Sequence, residues 1–290
     1  ELVAHQISLL SRRAYIQQIE APSFSPSKNF AKQLLGSLPF SLTGAQKRVS
    51  KEIVQDLKQN KPMLRLVQGD VGAGKTLVAG VAACHALEEG WQVALMAPTE
   101  ILAEQHYLNF KKWFEPLGLN VSWLSGKQKG KARAAAEQGI KEGTANLVVG
   151  THALFQENVG FAKLGLVIID EQHRFGVDQR LALRNKGANN MTPHQLVMTA
   201  TPIPRTLAMS AYGDLDTSVI DELPPGRTPI QTVTIPLDRR EEVLARIATN
   251  CAEGKQAYWV CTLVEQSETL DAQAAEATYQ EIKERFPHVN

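Results

Sequence analysis

The sequence predicts an α/β fold, a doubly wound parallel sheet, and three observations point to it. Short, almost unbroken apolar runs recur at 63–67, 92–96, 121–124, 147–149, 166–169 and 195–198, as expected of strands covered on both faces. Helical stretches separate most of them, at 77–88, 100–114, 129–141 and 179–186. Such alternation implies right-handed crossovers and a parallel sheet. The residues that carry chemistry stand just past the ends of the runs, at the carboxyl edge where sheets of this kind bind ligands.

Ahead of the sheet, Ile7, Leu10, Ala14, Ile16 and Ile19 recur at helical spacing, which predicts an amphipathic helix over residues 1–20. Ala21-Pro22-Ser23-Phe24-Ser25-Pro26-Ser27 reads as a linker. Two further helices are expected, at 28–38 and 44–59. A second unit begins after Pro224-Pro225-Gly226-Arg227, with strands expected at 231–235 and 257–262 and helices at 239–252 and 267–286, the last with an alanine-rich face turned inward. The expected division is a helical linker at 1–39, a first α/β domain at 40–226, and at 227–290 the start of a second that stops after two strand–helix units.

Composition narrows the classes. A chain of 290 residues can bury two cores, and 43% hydrophobic with 21% charged residues describes a globular protein rather than a disordered one. The net charge is +1, so a nucleic-acid partner would be held by local patches and backbone donors, not by a general basic field. One local basic run, Lys127, Lys129, Lys131 and Arg133, could face such a partner or simply be solvated. Cys84, Cys251 and Cys261 are spaced for neither zinc nor a redox pair, and are expected to be reduced, mostly buried thiols of a cytoplasmic protein. No run approaches the roughly 20 apolar residues of a membrane span.

Gly69-Asp70-Val71-Gly72-Ala73-Gly74-Lys75-Thr76 fits G-x-x-x-x-G-K-[ST] between a predicted strand and a predicted helix, the setting in which that pattern binds phosphate. Its glycines let backbone N–H groups turn toward phosphate oxygens, and the helix N-terminus adds a favourable dipole. Lys75 would neutralise the β/γ oxygens and Thr76 would ligate magnesium, so ATP and Mg2+ are the expected ligands. The run at 164–169 delivers Asp170 and Glu171 to the sheet edge. Asp170 would hold the magnesium, and Glu171 would orient and deprotonate a water. An acidic pair at a strand end is commonly just solvated; the phosphate loop upstream is what favours catalysis here. Taken alone, His173 reads as a structural histidine.

The phosphate loop, Asp170-Glu171-Gln172-His173 and Thr199-Ala200-Thr201, in that order, resemble superfamily 2 helicases of the DExH type. The strings LVQGDVGAGKT (66–76), DEQHRFGVDQR (170–180) and MTATPIPRTLAMSAYGDLDTSVIDELPPGR (198–227) are similar to the RecG family of bacterial ATP-dependent DNA helicases, over a stretch from about residue 40 to the end. The motor of the transcription-repair coupling factor Mfd shares the RFGV and ATPIPRT elements; Gln172-His173 and YWVCTLVEQSE (258–268) look more like RecG.

The resemblance implies a RecA-like domain followed by an incomplete second one. It implies adenine recognition by Gln46, contacts to one DNA strand from Thr99, Glu100, Thr151 and His152, and coupling of hydrolysis to DNA movement through His173, Thr199 and Thr201. For Thr99 a plain helix cap is the equally reasonable alternative. For Gln46 it is a surface amide, and for Thr199 and Thr201 it is the packing of a strand end.

The implied partner is branched DNA, stalled forks and Holliday junctions, with no membrane and a monomeric chain in the bacterial cytoplasm near the nucleoid. The sequence contains no Q-x-x-G-R-x-G-R run for arginine fingers and no junction-splitting wedge domain. The expectation is therefore ATP binding with little hydrolysis. A nucleotide-binding switch without turnover is the alternative, and the intact Lys75, Thr76, Asp170 and Glu171 speak against it.

Overall fold

The structure is a computed structural model that describes residues 19–25, 29–156, 158–171, 191–201, 215–223, 230–261 and 275–287. Residues 1–18 of the helix predicted at 1–20, the helix predicted at 179–186, and His173 lie outside these residues. The chain divides into two compact units, Glu1–Arg227 and Thr228–Asn290.

The first unit is built on seven parallel strands: β1 (Leu64–Gly69), β2 (Gln92–Met96), β3 (Val121–Leu124), β4 (Leu147–Gly150), β5 (Leu164–Asp170), β6 (His194–Thr199) and β7 (Asp216–Ile220). Their order is β3-β4-β2-β5-β6-β1-β7. The helices are α1 (Phe30–Gly36), α2 (Gly44–Leu57), α3 (Lys75–Glu88), α4 (Glu100–Phe114) and α5 (Gly130–Glu142). Residues of β2, β4 and β6 are buried without exception, which is why these strands read as continuous apolar runs. Helix α3 follows the phosphate loop and is buried from Leu77 to Leu87 except at His85. It packs between the sheet and the helices α1 and α2.

Strand β7 was not expected. It is an edge strand with only Ser218 and Ile220 turned inward. Polar groups fasten it to α2 and β1: Arg48 donates to Val219 O and Asp221, and Ser218 donates to Glu52 of α2 and accepts from Arg65 of β1. A Glu222 oxygen accepts from the backbone N of Ala45, placing negative charge on the first turn of α2.

Ala21, Pro22 and Phe24, from the stretch expected as a linker, are buried. Phe24 is fully buried, with its ring edge-on to His194 at 5.1 Å and near Trp91 at 6.2 Å. Its N donates to Leu57 O, and Ala21 N donates to Asn60 O. Serine and proline around it give a loop-like composition, but one buried aromatic outweighs that composition energetically.

Within the second unit the described residues form α6 (Arg240–Ala252), preceded by a 3-10 turn, and α7 (Ala275–Arg285). Arg240 and Glu281 join them by two hydrogen bonds at 2.5 and 2.9 Å, and Arg285 pairs with Glu241. The strand expected at 231–235 is absent, and residues 257–261 of the other expected strand are also not in a strand. Val233, Tyr258 and Val260 are largely exposed. Alternation makes a segment capable of pairing, but a strand exists only where a neighbour completes its hydrogen bonds. On the described residues of α7 only Thr278 is buried, with Ala275 half-buried and Ala277 exposed; Ala272 and Ala274 of the expected alanine-rich face lie outside the described residues. Cys84 is buried and its thiol is pushed up to about 12 by burial, whereas Cys251 and Cys261 are partly exposed, fewer buried than expected; all three are free.

Candidate nucleotide and nucleic-acid site

The candidate residues collect on one edge of the sheet because parallel strands all deliver their carboxyl ends there. Read across the sheet order, that edge carries Thr151 and His152 after β4, Thr99 and Glu100 after β2, Asp170 and Glu171 at β5, Thr199 and Thr201 at β6, and the phosphate loop after β1. Register places Asp170 beside Met198, and Gln68 beside Thr199. The nucleotide candidates thus occupy three adjacent strands, β5, β6 and β1, and the nucleic-acid candidates occupy the next two.

The phosphate loop is folded on its own backbone. Ala73 N donates to Asp70 O and Val71 N to Asp70 Oδ1. Lys75 Nζ donates to Gly69 O at 2.6 Å and to Asp70 O at 3.1 Å. Burial lowers the Lys75 ammonium below the usual lysine value, while Asp170, Glu171 and Asp70 act against that shift. Lysine and acids therefore lie within electrostatic reach of one another. Helix α3 begins at Gly74 with no side-chain cap, leaving its first N–H groups for an anion.

Gln46 is buried under this loop. Its Oε1 accepts from Thr43 N and its Nε2 donates to Ala73 O at 2.8 Å, while Thr43 Oγ1 accepts from Gln46 N to complete a capping box. Gly74 adopts φ 87, and a Cβ there would stand 2.3 Å from Gln46 Nε2. This glycine is required twice, by its left-handed backbone and by the amide against it. Gln46 here braces the phosphate loop, a role distinct from the adenine contact implied by resemblance.

Glu171 is held from β6. Its Oε1 accepts from Ala200 N at 3.0 Å and its Oε2 from Thr199 Oγ1 at 3.3 Å; Thr201 N donates to Thr199 Oγ1 at 3.1 Å. Its backbone stands at φ 52, uncommon for a residue with a side chain, and Glu171 N donates to Met198 O. Strain of this kind persists where surrounding bonds over-determine it, often at functional sites. Asp170 Oδ2 is bonded to His106 Nε2 at 2.7 Å. Sequence reasoning missed His106, a lone histidine inside α4.

The candidate nucleic-acid contacts are mixed in placement. Thr99 Oγ1 accepts from Leu102 N and caps α4. Glu100 pairs with Lys127 at 2.6 Å, and that ammonium holds its carboxyl below the usual range. Arg133, from the same basic run, pairs with Glu137 and donates to Gln156. His152 is exposed, but Thr151 is only 2% exposed and its hydroxyl has no partner among the described residues. In this conformation Thr151 is a buried strand-end residue rather than a surface donor.

Gly150 ends β4 directly beneath these residues, and a Cβ there would lie 2.1 Å from the carbonyl oxygen of Leu124. That obstacle is backbone and cannot rotate away. Gly150→Ala is expected to lower stability by about 1–3 kcal/mol or more. The control is Gly160→Ala, where a Cβ meets nothing within 4 Å. Denaturant midpoints of the two variants make the comparison; equal midpoints would mean that β3 and β4 separate at little cost.

Comparison with known proteins decides the family. A model described as "DEAD/DEAH box helicase" matches residues 43–210. The chain belongs to the DEAD/DEAH box helicase family. Within it, the chain is 61% identical to the ATP-dependent DNA helicase RecG of Escherichia coli strain K12 over 292 residues, covering 100% of this chain and 42% of that protein. It is 46% identical to RecG of Aquifex aeolicus strain VF5, over 99% of this chain and 36% of that protein. A solved structure of RecG bound to a three-way DNA junction superposes with TM-score 0.82 at 39% identity, covering 97% of this chain and 36% of that one. This chain thus matches a helicase-domain region that spans less than half of each of these longer relatives. No described helix is long and apolar enough to cross a membrane.

Proposed function

We propose that this chain is the ATP-binding part of a motor that remodels branched DNA in recombination and repair. The observation that carries the proposal is the grip on Glu171: a catalytic acid whose two oxygens are fixed by Thr199 and Ala200, beside a phosphate loop whose lysine faces the same acids. In this reading Lys75 neutralises the transferring phosphoryl group and Glu171 takes a proton from the attacking water.

Thr76 and Asp170 would hold magnesium, which when bound screens and orients the phosphate oxygens. The donors fit. Both are hard oxygens, Asp170 Oδ1 accepts no hydrogen bond among the described residues, and no cluster of three or more His, Cys, Asp or Glu forms there. A magnesium ion commonly takes one or two protein oxygens and completes its shell with phosphate and water.

Thr99, Glu100 and His152 are proposed to contact one DNA strand through sequence-independent contacts, with Thr151 requiring a local change to do so. Coupling through His173 is proposed with them. The junctions, forks and D- or R-loops are proposed as substrates of the whole protein this region serves, a cytoplasmic monomer associated with the nucleoid. Residues 1–39 are proposed to join the motor to a wedge domain and residues 227–290 to open a second RecA-like half that supplies arginines.

The chain by itself is expected to bind ATP with magnesium and to hydrolyse it slowly, with little stimulation by DNA. Fluorescent-nucleotide binding and a phosphate-release assay check this; rapid DNA-stimulated turnover by the isolated chain would remove the need for a second half. Binding of three-way junction, linear DNA duplex and RNA duplex by the longer protein at one salt concentration tests the substrate. Equal affinity for all three would overturn the branched-DNA reading.

A further inference from the structure

We infer that His106 is the positioning residue of the metal-binding aspartate. This rests on the reading of Asp170 as a magnesium ligand. Asp170 accepts the bond from His106 Nε2 through Oδ2 at 2.7 Å, and both side chains are largely buried, at 9% and 14% exposure. The histidine is itself held. Phe110, one turn further along α4 and fully buried, packs edge-on against its ring, with centroids 6.4 Å apart and planes at 77°. Its Nδ1 is buried without a partner, so the bond to Asp170 is the ring's one polar anchor among the described residues. A buried polar ring left unpaired is costly, and that cost favours keeping the single bond made.

The consequence for Asp170 is geometric. With Oδ2 fixed, the carboxylate cannot rotate about its terminal torsion, and Oδ1 remains as the oxygen for a metal. Lys75 lies within electrostatic reach of the same carboxylate and would otherwise draw it toward the phosphate loop. An outer residue that orients a ligating carboxylate commonly changes metal affinity by about 10–100-fold. Helix α4 also begins at Thr99 and Glu100, roughly 9 Å along the axis from His106 at 1.5 Å per residue. The bond therefore joins the β2 side of the sheet edge to the β5 side.

The test compares His106→Gln, whose amide nitrogen can still reach Asp170, with His106→Asn, which is one methylene too short. Binding of a fluorescent ATP analogue to the chain is measured in EDTA and across a magnesium titration, with thermal melting to establish that each variant is folded. We expect magnesium-free binding to be unchanged in both variants. His106→Asn is expected to raise the magnesium half-saturation about tenfold, and His106→Gln to stay near wild type. A merely structural histidine would shift melting and leave magnesium half-saturation alone, and that result overturns the inference. So does an equal rise in both folded variants. If wild type binds no nucleotide even in EDTA or magnesium, the phosphate-loop reading falls and this inference falls with it.

Discussion

Glu171→Gln is expected to abolish ATP turnover, by about 100- to 10,000-fold, while leaving nucleotide affinity within about threefold, an effect of at most about 0.7 kcal/mol. The separation follows from how the side chain is held. An amide oxygen can take over the bond from Ala200 N, and the amide nitrogen would then face Thr199 Oγ1, whose hydroxyl can turn to accept. The backbone at φ 52 and its bond to Met198 O are untouched, so the fold and the phosphate loop should persist and only proton acceptance is lost. Lys75→Ala provides the opposite signature. It removes the ammonium now held by Gly69 O and Asp70 O, and loss of a charge-assisted contact worth about 1.5–3 kcal/mol should weaken nucleotide binding about 10- to 150-fold. Equilibrium binding and single-turnover hydrolysis, in this chain and in a longer version carrying the proposed second half, read both. Substantial turnover by Glu171→Gln would take Glu171 out of the general-base role.

The residues that define this site differed in how legible they were, and the reasons are physical. Strands β2, β4, β5 and β6 announced themselves because burial on both faces leaves continuous apolar runs, and their carboxyl ends, with that of β1, place Asp170, Thr199 and the phosphate loop on one edge. The edge strand β7 did not, because only two of its five residues turn inward and its attachment is made by Arg48, Arg65 and Glu52 from elsewhere. Phe24 was hidden by serine and proline. His106 could not be found locally, since its partner is 64 positions away and nothing in α4 marks one histidine as special. Thr151 shows the same limit from the other side: its position at a strand end was legible, but a strand buried on both faces gives no alternation from which to read where a hydroxyl points. Contacts that depend on long-range register become visible only once the strands are ordered.

Acid should destabilise the first unit through one residue remote from the chemistry. His194 is fully buried at the start of β6. Its Nδ1 accepts from Met63 N at 2.9 Å and its Nε2 donates to Pro22 O at 2.6 Å, which ties β1 and the 21–24 segment together through a neutral ring. Burial lowers its pKa from 6.5 to about 4. A base whose folded pKa is depressed is neutral in both states above the unfolded value, so it carries no penalty near pH 7.5. As pH falls from about 6.5 toward 4, the unfolded chain takes up a proton that the folded chain refuses, and stability is lost. At 1.36 kcal/mol per unit the loss is about 2 kcal/mol by pH 5 and about 3 kcal/mol near pH 4. Carboxylates and the half-buried His85, whose pKa burial also lowers, add to the slope, so the measurement must be differential. His194→Asn keeps an acceptor for Met63 N and gives up the bond to Pro22 O. It should be less stable than wild type at pH 7.5 and should close most of that gap by pH 5, because it has no ring to protonate. Chemical denaturation of both proteins at the two pH values decides the matter; a gap that stays constant would mean that His194 is charged, or reached by water, in the folded protein.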